Sequence, residues 1–108
     1  MADAFKILGQ AAPAAANLTT TYTVPSNSQA VVSCIIVANR SSTPTSFRVS
    51  LASNGAADAN SQYIAYDTPI GANQIIELKC GGLASNDVIR TYNTLATVSF
   101  NVLGMEIT

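Results

Sequence analysis

The run AVVSCIIVAN at residues 30–39 is the strongest strand signal in this 108-residue chain. Its even positions from Val32 to Ala38 are all apolar, and three of its odd positions, Val31, Ile35 and Val37, are apolar as well. Apolar side chains on both alternating sets are typical of a strand that is covered on both faces. We therefore predict a central strand here, buried on both sides.

Short β-rich segments flank this run, and Pro, Asn, Gly and Ser separate them about every ten residues. Polar and apolar residues alternate in several segments, and no helical period of useful length is present. The pattern predicts an all-β chain that forms a single β-sandwich of seven or eight strands, either immunoglobulin-like or jelly-roll, with the strand order open. The predicted strands cover residues 18–24, 30–39, 46–51, 62–66, 75–80, 87–92 and 97–107, the last two joined as a hairpin near Asn93.

The first 17 residues differ in composition from the rest of the chain. A short apolar segment, which we call the apolar word, contains Phe5, Ile7 and Leu8. An alanine-rich stretch follows it, and Gly9 and Pro13 prevent this stretch from forming a continuous helix. We predict an extended N-terminal arm and hinge over residues 1–17, with the apolar word as a partner-binding segment, and a β-sandwich domain over residues 18–108. The alternative is a first strand and a loop within the same domain.

Composition excludes several classes of function. Five Lys and Arg stand against six Asp and Glu, which provides no basic field for nucleic acid. The chain has no histidine, and its carboxylates fall in separate turns or outward strand positions, so we expect no enzyme, no catalytic residue, no cofactor and no metal site. Its apolar runs are too short to cross a membrane, and its first ten residues lack a secretory pattern. We expect a protein that is made in the cytoplasm and used without export.

Cys34 and Cys80 are the only cysteines. Both fall on predicted inward-facing sets of their strands, which favours two small apolar core residues, and a disulfide between them is the alternative. Two ligands cannot complete a structural zinc site.

Tyr63 and Tyr66 flank a polar loop and are the second candidate partner-binding site. A half-buried tyrosine whose hydroxyl reaches water is the plainer interpretation. The rest of the predicted surface is rich in Ser, Thr, Asn and Ala, and only 10% of all residues are charged. Such a surface leaves strand edges unprotected in a free monomer and favours a protein that works inside an assembly.

Several stretches resemble small virion proteins of tailed bacteriophages. They are ILGQAAP at 7–13, YTVP at 22–25, YDTPIGANQ at 66–74, LASNDVI at 83–89 and VSFNVLGMEIT at 98–108. The resemblance covers most of the chain, and it rests on turns and strand ends without any catalytic residue.

The resemblance implies a non-enzymatic β-sandwich present in many copies on a virion. The favoured expectation is a capsid decoration, or cement, protein that forms homo-oligomers, with a trimer favoured, and contacts the major capsid protein or other virion proteins on the capsid surface. The alternative is a tail, baseplate or fibre component that binds a host glycan or another tail protein. A bacterial adhesion or carbohydrate-binding module is a third reading, against which the missing secretion signal and the absence of Trp count.

Overall fold

A computed structural model describes residues 3–107 of the chain, which fold into two packed antiparallel sheets. Two short 3-10 turns, Ser53–Gly55 and Asn60–Gln62, lie in the loop after the fourth strand. The all-β sandwich expected from the sequence is confirmed. The strands are β1 (Asp3–Ala11), β2 (Thr19–Thr23), β3 (Gln29–Asn39), β4 (Thr45–Ala52), β5 (Tyr63–Ile70), β6 (Ile75–Lys79), β7 (Gly82–Leu83), β8 (Val88–Asn93) and β9 (Val98–Ile107).

The strand order decides between the two architectures left open above. Sheet A has the order β1-β9-β3-β6, with the two-residue β7 also on β3, and sheet B has the order β2-β8-β4-β5. Without β7, the first strand pairs with the last, the second with the next to last, and so on inward to the pair β4 and β5. This nested pairing wrapped into two sheets is a jelly roll, and the immunoglobulin-like alternative does not apply.

The core lies between the two sheets and is built from the inward set of each strand. Phe47 of β4 and Phe100 of β9 are fully buried and meet edge to face across the sandwich, with ring centroids 6.0 Å apart. The β-branched side chains of β3 and β9 fill the space around them, as the alternation predicts. Both phenylalanines stand on the apolar set of an alternating segment, which is the set that a sandwich turns toward its core.

The structure corrects the expected arm and the domain boundary at residue 18. β1 pairs antiparallel with β9 from Asp3 opposite Ile107 to Ala11 opposite Phe100, and Leu8 packs against the core. The reason is that β9 would otherwise present its whole length as an open edge. Residues 1, 2 and 108 of the predicted segments lie outside the described residues.

The predicted hairpin between the last two strands is also wrong. β8 lies between β2 and β4 in sheet B, whereas β9 lies between β1 and β3 in sheet A. The four residues 94–97 carry the chain from one sheet to the other, because both strands have an apolar inward set that the core must cover.

β3 lies inside its sheet, as predicted, but only one of its faces is buried, whereas the sequence predicted burial of both. Its inner side chains Ala30, Val32, Ile35 and Val37 are buried, and the opposite set is partly exposed. An extra residue at Ser33 shifts the register between β3 and β9. Nothing in the described chain covers the outer face of this apolar strand.

Candidate interaction surfaces

The outer face of sheet A carries cross-strand rows of apolar side chains. Register places Phe5, Met105 and Val31 side by side on β1, β9 and β3. Partners that lie directly opposite each other share one face of a sheet, and two of these three are among the most exposed apolar residues, Phe5 at 79% and Val31 at 40%.

The next row continues this apolar surface. Ile7, which is 55% exposed, lies opposite Leu103, and Leu103 lies opposite Cys34. We call the surface formed by Phe5, Ile7, Val31, Cys34, Leu103 and Met105 the apolar face.

Within strand residues 5–107, the charges on this side of sheet A lie at one margin. Among the strand residues from 5 to 107, only Glu77 and Lys79 of β6 are charged and share its orientation, opposite Ile36 and Cys34 respectively. A contiguous apolar surface bordered by polar groups is typical of a protein interaction site.

Two of the three residues predicted in the apolar word lie on this face. Phe5 and Ile7 project outward, and Leu8, the next residue after Ile7 in the strand, packs against the core. Leu8 therefore lies outside the apolar face, and its part in partner binding stays a prediction. Sequence reasoning missed Val31, Leu103 and Met105, because the register that aligns them with β1 is set by long-range pairing.

The two cysteines are free thiols, so the disulfide alternative is wrong in this structure. Cys80 packs against the core as expected. Cys34 lies opposite the exposed Lys79 on the outer side of sheet A, because the extra residue at Ser33 reverses the inward set of β3. The thiols therefore lie on opposite sides of the sheet.

A second surface lies on sheet B, where a β-bulge brings several polar and aromatic groups together. Phe47 pairs with Thr68 and Val49 pairs with Ala65, so that Arg48 alone faces both Tyr66 and Asp67. Successive strand residues normally point to opposite faces, and a bulge lets both reach the same neighbour. Asp67 takes a φ of 47° here, an unfavourable left-handed conformation for a non-glycine residue inside a strand.

Arg48 is held on several sides within this bulge. Its Nε donates to Asp67 Oδ1 at 2.7 Å, and its Nη2 donates to Oδ2 at 3.3 Å. Its guanidinium carbon lies 4.1 Å from the ring centre of Tyr66 and 4.4 Å from that of Tyr92. The hydrogen bonds to Asp67 raise the pKa of Arg48 above the ordinary value of an arginine side chain. Cation–π stacking and a bidentate pair make this a rigid arrangement.

Tyr63 extends the group toward the preceding loop. Its ring lies perpendicular to that of Tyr66, with centroids 5.0 Å apart, and its hydroxyl donates to Asp58 at 3.1 Å. Partial burial is the larger cause of a raised pKa for Tyr63, and this hydrogen bond is the second. We call the set Arg48, Tyr63, Tyr66, Asp67 and Tyr92 the tyrosine–arginine cluster.

The cluster borders a shallow depression of about 290 Å³ lined by Tyr66 and Asn60. The structure thus brings together the two tyrosines predicted from the sequence. Sequence reasoning missed Arg48, Asp67 and Tyr92, since no local pattern reveals that β4 places Arg48 opposite a bulge in β5. A second depression of about 310 Å³ lies beside Gln10 and Asn101, whose amides are bonded at 2.7 Å.

The described residues contain no group of three or more Cys, Asp and Glu placed to hold a metal ion. In the same part of the chain, no helix has the length and apolar character needed to span a membrane.

No family model, curated protein or solved structure matches the chain.

Proposed function

We propose that this protein is a non-enzymatic bacteriophage virion component, a capsid decoration protein that stabilises contacts between capsomers. The apolar face carries this proposal. The sequence of β3 is apolar on both sides, but the protein covers only its inner side. We therefore expect another protein to cover the outer side.

The proposed partners are the major capsid protein or other virion proteins, together with further copies of this chain, with a trimer favoured. A decoration protein binds the same seam many times over a shell, so that a modest apolar contact per copy suffices. The margin formed by Glu77 and Lys79 supplies one charge of each sign to set the orientation of docking. The resemblance of the chain to small virion proteins agrees with this role.

Fractionation of phage lysates tests the location. Tail-less heads, free tails and complete particles are separated, and the protein is quantified in each by mass spectrometry. We expect it in heads and complete particles, with density at capsomer junctions in cryo-electron microscopy of the heads. Recovery with tails alone would refute the decoration role.

A pair of variants tests the apolar face itself. Leu103→Lys places a charge in the middle of the face, and Ile64→Lys places the same charge on β5, at a residue that is 44% exposed. We expect Leu103→Lys to weaken rebinding to stripped heads by about tenfold or more, and Ile64→Lys to bind normally. Thermal melts of both variants identify any loss of folding, and normal rebinding by a folded Leu103→Lys would exclude the face as the docking surface.

A tail, baseplate or fibre component that binds a host glycan is the second candidate function. The exposed Tyr66 ring beside a depression favours it. Recovery of the protein with tails, together with glycan binding that needs Tyr66, would favour this candidate over the first.

A further inference from the structure

The ring of Tyr66 is contacted by Arg48 and by the perpendicular ring of Tyr63, and about half of the side chain stays exposed. Arg48 stacks at 4.1 Å on the ring, from the neighbouring strand β4. β5 is the last strand of sheet B, so Tyr66 stands on the edge strand of this sheet. Tyr66 remains 54% exposed, and it lines a depression together with Asn60. An aromatic ring and an amide therefore border the same open recess.

The surroundings of this recess are fixed before any ligand arrives. The bidentate pair with Asp67 and the second stack on Tyr92 hold Arg48, and through it the Tyr66 ring. The loop over residues 53–62 is anchored to sheet B by Arg90, whose Nη1 donates to the Ala56 carbonyl at 2.9 Å. A ligand would thus lose little affinity to the ordering of side chains or loop.

Charge limits the kind of ligand that this recess accepts. Arg48 is neutralised by Asp67, and Arg90 is engaged by loop carbonyls. Asp58 adds a negative charge next to Tyr63. No unpaired cation is therefore available here among the described residues to receive a sulfate or carboxylate. The remaining polar group that lines the depression, the Asn60 amide, suits hydroxyl groups instead.

We propose that Tyr66, together with Asn60, forms a binding site for a neutral saccharide. The apolar C–H face of a pyranose ring stacks on Tyr66, and a hydroxyl of the sugar bonds to the Asn60 amide. The volume of about 290 Å³ lies at the lower end of ligand pockets, which suits one terminal sugar rather than an extended chain. Such a site goes beyond a decoration role, and it would allow the protein to bind saccharides whether it lies on the head or on the tail of the particle.

Saturation-transfer NMR on the full chain tests this site. The probes are the methyl glycosides of glucose, galactose, mannose and N-acetylglucosamine, each up to millimolar concentrations, with N-acetylneuraminic acid and glucuronic acid as charged comparisons. We expect saturation transfer to at least one neutral glycoside and none to the acids. Binding to none of the neutral glycosides, or to the acids alone, would overturn the proposal.

Variants at matched positions identify the surface that binds. Tyr66→Ala should weaken binding of the responding glycoside by about tenfold or more, whereas Tyr66→Phe, which keeps the ring, should stay within about threefold. Ile64→Ala, on the same strand and similarly exposed, should bind as the parent does. Unchanged binding by a folded Tyr66→Ala would also refute the site. Head binding through the apolar face is measured separately, so that either proposal can fail without the other.

Discussion

Truncation of one buried amide, Asn93→Ala, should destabilise the sandwich strongly. The Asn93 side chain is completely buried, and its Nδ2 donates to the carbonyls of Pro13 at 3.1 Å and Ala14 at 3.4 Å. Its Oδ1 accepts from the Val98 N–H at 3.2 Å. A single side chain thus joins the connector between β1 and β2 to the start of β9.

The size of the effect follows from these contacts. Two or three hydrogen bonds at about 1 kcal/mol each are lost, and the buried Val98 N–H is left without a partner, so we expect a loss of about 3 kcal/mol in the free energy of unfolding. With an unfolding entropy of about 2.1 cal/mol/K per residue over 108 residues, this lowers the melting temperature by about 13 °C.

Thermal melts followed by circular dichroism, together with urea unfolding, measure this change. Asn101→Ala is the matched control, because the one side-chain hydrogen bond of Asn101 among residues 3–107 comes from the exposed Gln10 amide, and its loss should cost less than about 0.5 kcal/mol. If Asn93→Ala melts within about 3 °C of the parent protein, these hydrogen bonds do not hold the connector, and the reasoning is refuted.

Two further substitutions test the packing of β9. Glu106 accepts hydrogen bonds from the Tyr22 hydroxyl at 2.7 Å and from Lys6 at 3.2 Å, and both lower its pKa. The stability that these bonds provide is present above the ordinary pKa of about 4.3 and is lost as pH falls through the lowered pKa. Between pH 7 and pH 3, the free energy of unfolding measured in urea should therefore fall by about 1 kcal/mol less in Glu106→Gln than in the parent protein, and an equal fall would contradict the linkage. Gly104→Ala should cost about 3 kcal/mol because the added Cβ would collide with the Val31 carbonyl oxygen, whereas Gly82→Ala meets only ordinary contacts; equal melting temperatures for the two variants would show that β3 and β9 are not this close.

Strand positions were predictable because the signals for them are local. Alternation of apolar residues and the turn residues between segments depend on neighbours a few positions apart, and each of the seven predicted strands is a strand in the structure. The inward set of Val98, Phe100 and Val102 was predictable for the same reason, since each is fully buried.

Strand partners were not predictable in the same way. Whether β8 pairs with β9 or with β2 and β4 depends on which apolar faces the core has to cover, and neither segment records this alone. The same holds for β1, whose Ala-, Gly- and Pro-containing surroundings suggest an arm until the open edge of β9 is considered.

The candidate surfaces divide along the same line. Tyr63 and Tyr66 could be selected from the sequence because they adjoin a polar loop, and Phe5 and Ile7 because they form an isolated apolar word. Their neighbours could not, because an inserted residue reverses which side of the sheet every following side chain occupies.

The amino-acid sequence by itself determined the all-β class, the positions of most strands and the low-charge character of the surface, since each follows from residue type and short-range periodicity. Only the tertiary structure decided the jelly-roll order, the place of β1 at the sheet edge, and the two surfaces that carry the proposals. The physical reason is that register, bulges and the closing of strand edges are properties of segments far apart in the chain, and they take definite values only when the whole core is packed.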